Sequence, residues 1–362
     1  MLHSCADSVA AFRRIVAEFQ SRQQNAALSV GVQQRGRTVF REATGFASLE
    51  DRIPADAAMA FSIASITKAF TGVALLKLVE TGRVDLDAEI QRYVPEFLRH
   101  PSGRPVTLRM LAHHLGAVRH WGPERDELLY ARHFDDVRDI LALFRDDPWE
   151  PDLAPLTRYS YSSYGYNTLA MAIQSASGRS FQEFLAQAVL RPLNLESVQF
   201  DRPGLGGGRR PSRYSWYDLT EFHELEEAPQ RVPDWDYSHN AAGGGLIANV
   251  GDLLTFGGAM LQPGLLSEES LAQLWVRPVV HGIESRMSFG WFPRANPWRL
   301  GISGSNAGVQ AGLTIWKDDD LVVAVVANSW GRGSRSGELM DDGPDGFMGR
   351  LAALCGVRRP RN

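Results

Sequence analysis

Ser65-Ile66-Thr67-Lys68 places a hydroxyl and an amine one helical turn apart. The tetrapeptide follows Phe61-Ser62-Ile63-Ala64 and precedes an apolar-periodic run, Ala69 to Thr81. Ser65 therefore falls at a helix start, with Lys68 on the same face. A serine alcohol attacks a carbonyl poorly until a neighbour takes its proton. Lysine becomes that neighbour when burial or nearby positive charge lowers its pKa, whereas arginine keeps its proton in proteins. The chain has 38 Lys plus Arg, of which only Lys68, Lys77 and Lys317 are lysines. A lysine thus stands at the one position where arginine cannot serve as a base. Alone, Ser-x-x-Lys is a weak signal: at ordinary residue frequencies a chain this long contains about one by chance, and a Ser N-cap beside a surface Lys has the same letters.

Further segments extend the pattern. Tyr159 to Tyr166 reads Tyr-Ser-Tyr-Ser-Ser-Tyr-Gly-Tyr and leads into a helical run, Asn167 to Ala176, followed by Gly178. The turn Ala242 to Gly245 precedes Asp252-Leu253-Leu254-Thr255-Phe256-Gly257, and Gly301-Ile302-Ser303-Gly304-Ser305-Asn306-Ala307-Gly308 lies near the end. In this order the segments resemble the serine β-lactamase-like family of class C β-lactamases, DD-peptidases and esterases. That family carries Ser-x-x-Lys, Tyr-x-Asn and a Lys-Thr-Gly-like or His-Thr-Gly-like triplet. The resemblance covers nearly the whole chain. Phe61 to Lys68, Tyr93-Val94-Pro95-Glu96-Phe97 and Arg119-His120-Trp121 are most similar to the branch of mitochondrial serine β-lactamase-like proteins and their bacterial relatives.

The resemblance implies an acyl-enzyme mechanism with Ser65 as nucleophile and Lys68 and Tyr161 as proton shuttles. It makes the backbone amides of Ser65 and Ser305 the oxyanion hole. Ser163 stands where the family has Asn, and Ile302 where it has Lys or His. Ser163, Ile302, Ser303 and Gly304 are then substrate-binding positions, with Trp121, Trp235 and Tyr237 as an apolar wall. Trp216 belongs to the same aromatic set, and all of these rings serve equally well as core. Isoleucine cannot bind a substrate carboxylate, so the reading favours carboxylic esters lacking a free carboxylate. A peptidase or amidase, a weak β-lactamase, an acyltransferase and a binding or scaffold protein that has lost catalysis are the alternatives. No cofactor is expected. His113, His114 and His120 lack metal-ligand spacing and read as structural, so no metal site is assigned. The glycine run Gly204 to Gly208 lacks the strand-to-helix context of a nucleotide loop.

These residues need elements to hold them. Residues 6 to 24 set Val9, Phe12, Val16 and Phe19 on one helical face. Ala27 to Gln33 and Thr38 to Thr44 read as a hairpin turning at Arg35 and Gly36, and Val309 to Trp316 with Leu321 to Ala327 as another, before a last helix from Phe347 to Leu354. Helical spacing recurs in Leu108 to His114, Val137 to Arg145, Tyr164 to Ala176 and Phe181 to Leu190. The fold class is α/β (α+β), a β-lactamase/transpeptidase-like fold: an antiparallel sheet flanked by helices from both chain ends, with a mainly helical subdomain inserted. Residues 1–362 form a single unit. Residues 1–65 and 235–362 make the α/β subdomain and 66–234 the helical one, with a long loop near 203–240.

Composition narrows the partners. With 22% charged residues, 44% hydrophobic residues and a net charge of -4, the chain has the balance of an ordinary globular protein; a small-molecule ester or amide as its partner is what the family resemblance implies. Only Arg358 to Arg361 are locally basic, which argues against nucleic acid. No apolar run reaches the roughly 18–20 residues of a membrane span. The N-terminus lacks a signal-peptide pattern, so a cytoplasmic location is expected. The two cysteines, Cys5 and Cys355, are expected to remain unpaired, which suits a reducing compartment or indifference to redox. No oligomeric state follows from the sequence.

Overall fold

Arg35 and Gly36 both take positive φ, 51° and 71°, and close the hairpin between β1 (Ala27–Gln34) and β2 (Arg37–Ser48). Turns of that kind match the right-handed twist of the strands they join. β3 (Ile53–Pro54) pairs with the far end of β2. The other strands of the sheet come from the end of the chain: β4 (Phe292–Pro293), β5 (Arg299–Asn306), β6 (Val309–Trp316) and β7 (Leu321–Ala327). The seven strands run in the order β4-β5-β6-β7-β1-β2-β3, all antiparallel. Residues 5–122, 130, 132–205, 210–221, 223–294, 299–332, 338–339 and 341–357 are described in this computed structural model. The basic tail Arg358 to Arg361 and glycines Gly206 to Gly208 lie outside the described residues.

β7 is buried along its whole length because it is covered on both faces, which explains its unbroken apolar run. On one face, α1 (Val9–Gln23) and α8 (Phe347–Ala353) pack Phe12, Val16, Phe19, Phe347 and Leu351 against Leu28, Val30, Val323 and Val325. On the other, Val322, Ala324, Val326 and Leu313 join the core that includes α2 (Thr67–Glu80), α4 (Ser163–Ser177) and α6 (Val250–Gly258). α3 (Leu108–Ala112), α5 (Phe181–Leu185) and α7 (Glu268–Leu274) complete the helical layer. α2 is apolar nearly all round, as a central helix must be. Each large side chain in these cores contributes about 1.5–3 kcal/mol relative to exposure.

Three expectations are corrected. Val137 to Arg145 forms only a short 3₁₀ turn, Asp139–Leu143. The carbonyls of Leu143 and Asp147 accept from the buried Arg119 guanidinium, at 3.1 and 2.7 Å, so this segment wraps a cation in place of closing helical turns. The Phe181 to Leu190 helix is α-helical to Leu185 and continues in wider turns over Ala186–Leu190. The cysteines are not free thiols: Cys5 and Cys355 form a disulfide that joins the two chain ends, with Cα atoms 4.5 Å apart. Among the described residues no helix is long and apolar enough to cross a membrane.

Candidate active site

Phe61–Ser62 pairs with Leu246–Ala248, and the chain then turns sharply at Ala64, whose φ is +43°. That left-handed conformation is costly for alanine, on the order of 1–3 kcal/mol. It leads into the 3₁₀ turn Ala64–Ile66, which sets Ser65 half-buried just ahead of α2. Lys68, one turn on, has no exposed surface. Its Nζ lies 3.4 Å from Ser65 Oγ and 2.9 Å from Ser163 Oγ, and it also meets the Gly243 carbonyl. Burial disfavours the ammonium form and drives the Lys68 pKa well below the usual lysine value. This is the state in which a lysine accepts a proton.

Tyr161 Oη donates to Ser65 Oγ at 2.8 Å, and Lys68 Nζ lies 4.7 Å from the centre of the Tyr161 ring. Burial pushes the Tyr161 pKa up to about 12, against the pull of hydrogen bonds to Ser65 and Ser163. The phenol is therefore neutral near pH 7. Two histidines hold the segment behind it. Ser162 N–H donates to His114 Nδ1 at 3.0 Å and Ser163 N–H to His120 Nδ1 at 3.1 Å. Ser162 itself caps α4: its Oγ accepts from Gly165 N–H at 2.8 Å and donates to the Arg119 carbonyl at 2.7 Å. His113 and His114 are buried against the 285–291 segment, His113 Nδ1 lying 3.2 Å from the Met287 carbonyl oxygen. Among the described residues no group of three His, Cys, Asp or Glu side chains is placed to hold a metal ion.

The turn around Ala242 to Gly245 forms the floor. Thr71 Oγ1 donates to the Ala242 carbonyl at 2.8 Å, Leu246 N–H donates to Thr67 Oγ1 at 3.1 Å, and Asn167 of α4 spans His239 O and Ala242 N. β5 forms the opposite wall. β4 pairs with it only at Leu300 and Gly301, which leaves its outer edge beyond Gly301 beside the Ser65 turn. A Cβ on Gly304 would run into the Ile63 carbonyl and come within 2.9 Å of Ser65 N, so only glycine permits this approach.

Ser65, Lys68, Tyr161 and Ser163 thus converge, with Ser303, Gly304 and Ser305 on the neighbouring strand. Ser303 is half-buried, and exposed Ser305 accepts from Trp330 Nε1 at 3.1 Å. Ile302 differs from the expectation: it is 3% exposed and packs in the apolar core, because it points to the opposite side of β5 from Ser303. Tyr237 is also buried, under the Arg213 guanidinium at 4.6 Å. Trp121 and Trp235 are half-buried. Trp121 lies beside His120, 5.1 Å between ring centres, and Trp235 stacks on Tyr130 at 4.5 Å. Sequence reasoning missed the Gly243 carbonyl, the support from His114 and His120, and Asn240, whose buried side chain lies against Gly243 and Gly244. The only local sign of this turn was its run of small residues.

The fold, with its seven-stranded sheet built from both chain ends, has counterparts among known proteins. The family model described as Beta-lactamase matches residues 12–340. Serine beta-lactamase-like protein LACTB, mitochondrial, from Homo sapiens is 28% identical over 68% of this chain, which spans 58% of that relative's length. Among solved structures, the octameric penicillin-binding protein homologue from Pyrococcus abyssi superposes with a TM-score of 0.78 at 22% identity, covering 97% of this chain and 78% of that one. EstCE1, a hydrolase with promiscuous acyltransferase activity, gives 0.76 at 16% identity over 97% and 98% of the two chains. The chain belongs to the beta-lactamase family.

Proposed function

We propose that this protein is a serine hydrolase that works through an acyl-enzyme on carboxylic esters lacking a free carboxylate. The observation that carries the reading is Ser65 Oγ held between the Tyr161 hydroxyl, at 2.8 Å, and a fully buried Lys68 amine, at 3.4 Å. Neutral Lys68 takes the Ser65 proton as Oγ bonds to the ester carbonyl carbon. The carbonyl oxygen becomes an oxyanion received by the amides of Ser65 and Ser305. As the tetrahedral centre collapses, Tyr161 gives its proton to the departing alkoxide and is reprotonated from Lys68. Water then attacks the acyl-enzyme, loses its proton to the same pair, and Ser65 recovers its own.

The absence of a Lys or His at position 302 supports this substrate class. A buried isoleucine at this strand position supplies no cation for a carboxylate, and neutral esters need none. Ser303 and Gly304 line the strand side, and Trp121 and Trp235 offer an apolar flank for the acyl or alcohol group. Transfer of the acyl group to an alcohol is the second reading, supported by the likeness to EstCE1. As to location, the Cys5–Cys355 bridge weighs against the cytoplasm and for an oxidising compartment. A panel of p-nitrophenyl butyrate, a peptide p-nitroanilide and nitrocefin, run on wild type and Ser65→Ala, tests the assignment. The butyrate is expected to turn over fastest and only with Ser65 present; faster nitrocefin hydrolysis overturns the substrate ranking.

A further inference from the structure

Ser305, whose amide completes the proposed oxyanion hole, is exposed and lies one residue before the end of β5. An exposed side chain gains little from packing, so specific contacts must set its position. Its hydroxyl accepts from the Trp330 indole N–H at 3.1 Å, and the same N–H reaches the carbonyl of Val309, the first residue of β6, at 3.2 Å. One donor thus bridges the two sides of the β5–β6 turn, in which Ser305 pairs with Gln310 and Asn306 with Val309. The turn is also seated on Tyr214. Gly308 has a φ of +70°, and a Cβ there would come within 2.7 Å of Val232 Cγ2 and 2.9 Å of the Tyr214 backbone.

Trp330 can hold this turn because its own backbone is anchored away from the site. Ser329–Trp330 pairs in parallel with Tyr214–Ser215, and the Trp330 carbonyl accepts from Trp216 N–H at 3.2 Å. Asn328 Oδ1 accepts from Ala27 N–H at 2.6 Å, and the buried Ser329 Oγ accepts from Ala26 N–H at 2.9 Å. Beyond Trp330, Arg332 N–H donates to the Gln23 carbonyl at 2.7 Å, and a Cβ on Gly331 would come within 2.7 Å of that oxygen. Residues 328–332 are therefore tied to the start of β1 and the end of α1. The indole carries that rigidity to the edge of the site, where an oxyanion donor is effective only if it is aimed in advance.

We propose that Trp330 is a positioning residue for the oxyanion hole: its indole N–H locks Ser305 and Val309 together, so that the Ser305 amide already faces the developing negative charge. Trp330 acts through Ser305, not on the reacting atoms. This inference rests on the serine-hydrolase reading and adds a residue to that machinery.

The test uses p-nitrophenyl butyrate as substrate and propylboronic acid, the boron analogue of its acyl group, as a tetrahedral mimic. Ser65 Oγ bonds to boron, its proton passes to Lys68, and a boronate hydroxyl takes the place of the oxyanion. Trp330→Phe keeps a ring and removes the N–H. It is expected to lower kcat and kcat/KM together by about tenfold and to weaken propylboronic acid by about the same factor. KM and the rise of kcat/KM with pH set by Lys68 should stay in place. Ser305→Ala, which deletes the acceptor and keeps the amide, is expected to lower kcat and boronate affinity in the same direction. A folded Trp330→Phe with wild-type kcat and boronate affinity overturns the inference. So does a raised KM at unchanged kcat, which marks a substrate contact, or a displaced pH rise, which marks an effect through Lys68. If Trp330→Phe does not fold, Ser305→Ala decides: weakened boronate binding supports the inference and unchanged binding overturns it. Ser65→Ala separates the two levels. If it abolishes hydrolysis, the hydrolase reading stands whatever Trp330 does; if it leaves hydrolysis intact, the reading fails and this inference with it.

Discussion

In the proposed mechanism Lys68 accepts the Ser65 proton only when it is neutral, so kcat/KM should rise with pH through the Lys68 pKa. Burial places that rise below 10.5, the ordinary lysine value, while Tyr161, pushed up to about 12, keeps its proton through the same range. A pH–rate profile on a neutral ester is expected to show an acid limb that reaches its plateau well below pH 10. A limb centred at or above 10.5 contradicts the assignment of Lys68 as base. Lys68→Arg preserves the charge and removes the base, and should lower kcat by about 10³-fold or more. Wild-type turnover by that variant would exclude Lys68 from proton transfer. At this scale the pairing of Ser65 with Lys68 could be suggested by residue type and spacing, Tyr161 only by the family resemblance, and the structure brings the three side chains together. Ile302 was legible only as a missing cation; its 3% exposure depends on which face of β5 it occupies. His114, His120 and Asn240 reach the site through folding alone. The hydrogen bonds from Ser162 to His114 and from Ser163 to His120 span 48 and 43 residues, and no local pattern announces such partners.

α2 is the element on which the site depends, and it is pinned by backbone contacts. A Cβ on Gly72 would run into the Phe289 carbonyl, and one on Gly290 into the carbonyl of Lys68 itself. Gly290 also has a φ of +89°, which an L side chain adopts only under strain. Gly290→Ala is therefore expected to cost at least about 2 kcal/mol of stability and to lower kcat by displacing the Lys68 turn. Denaturant unfolding beside steady-state kinetics checks both; a variant with wild-type stability and rate means that this contact does not position α2. The terminal hairpins were readable because alternation and turn residues act locally. The segment from Val137 to Arg145 was not, because the Leu143 carbonyl, and that of Asp147 just beyond the segment, are taken by Arg119, a residue distant in sequence. Helical periodicity records which residues face a core; the destination of the carbonyls is decided by tertiary partners.

Across the whole molecule, both chain ends build one sheet and cover its outer face with α1 and α8. The Cys5–Cys355 disulfide ties those ends together across a sequence separation of 350 residues. Closing so long a loop restricts the unfolded chain and stabilises the folded state by an amount on the order of 5 kcal/mol. Reduction, or Cys5→Ser, should lower Tm by several degrees while Ser65-dependent hydrolysis below that temperature persists; an unchanged Tm would show that the bridge adds no stability. The antiparallel sheet could be anticipated from strand patterns at both ends, whereas the pairing of two cysteines at the extremes of the chain could not. Their proximity follows from the packing of α1 and α8, which no spacing rule encodes. The central claim, that Ser65 is a nucleophile activated by Lys68, is tested most directly by a fluorophosphonate probe with peptide mapping on wild type and Lys68→Arg. The account predicts one covalent adduct on Ser65 in wild type and strongly slowed labelling in the variant. A folded wild-type protein whose Ser65 peptide stays unmodified, or labelling equally fast without Lys68, would contradict it.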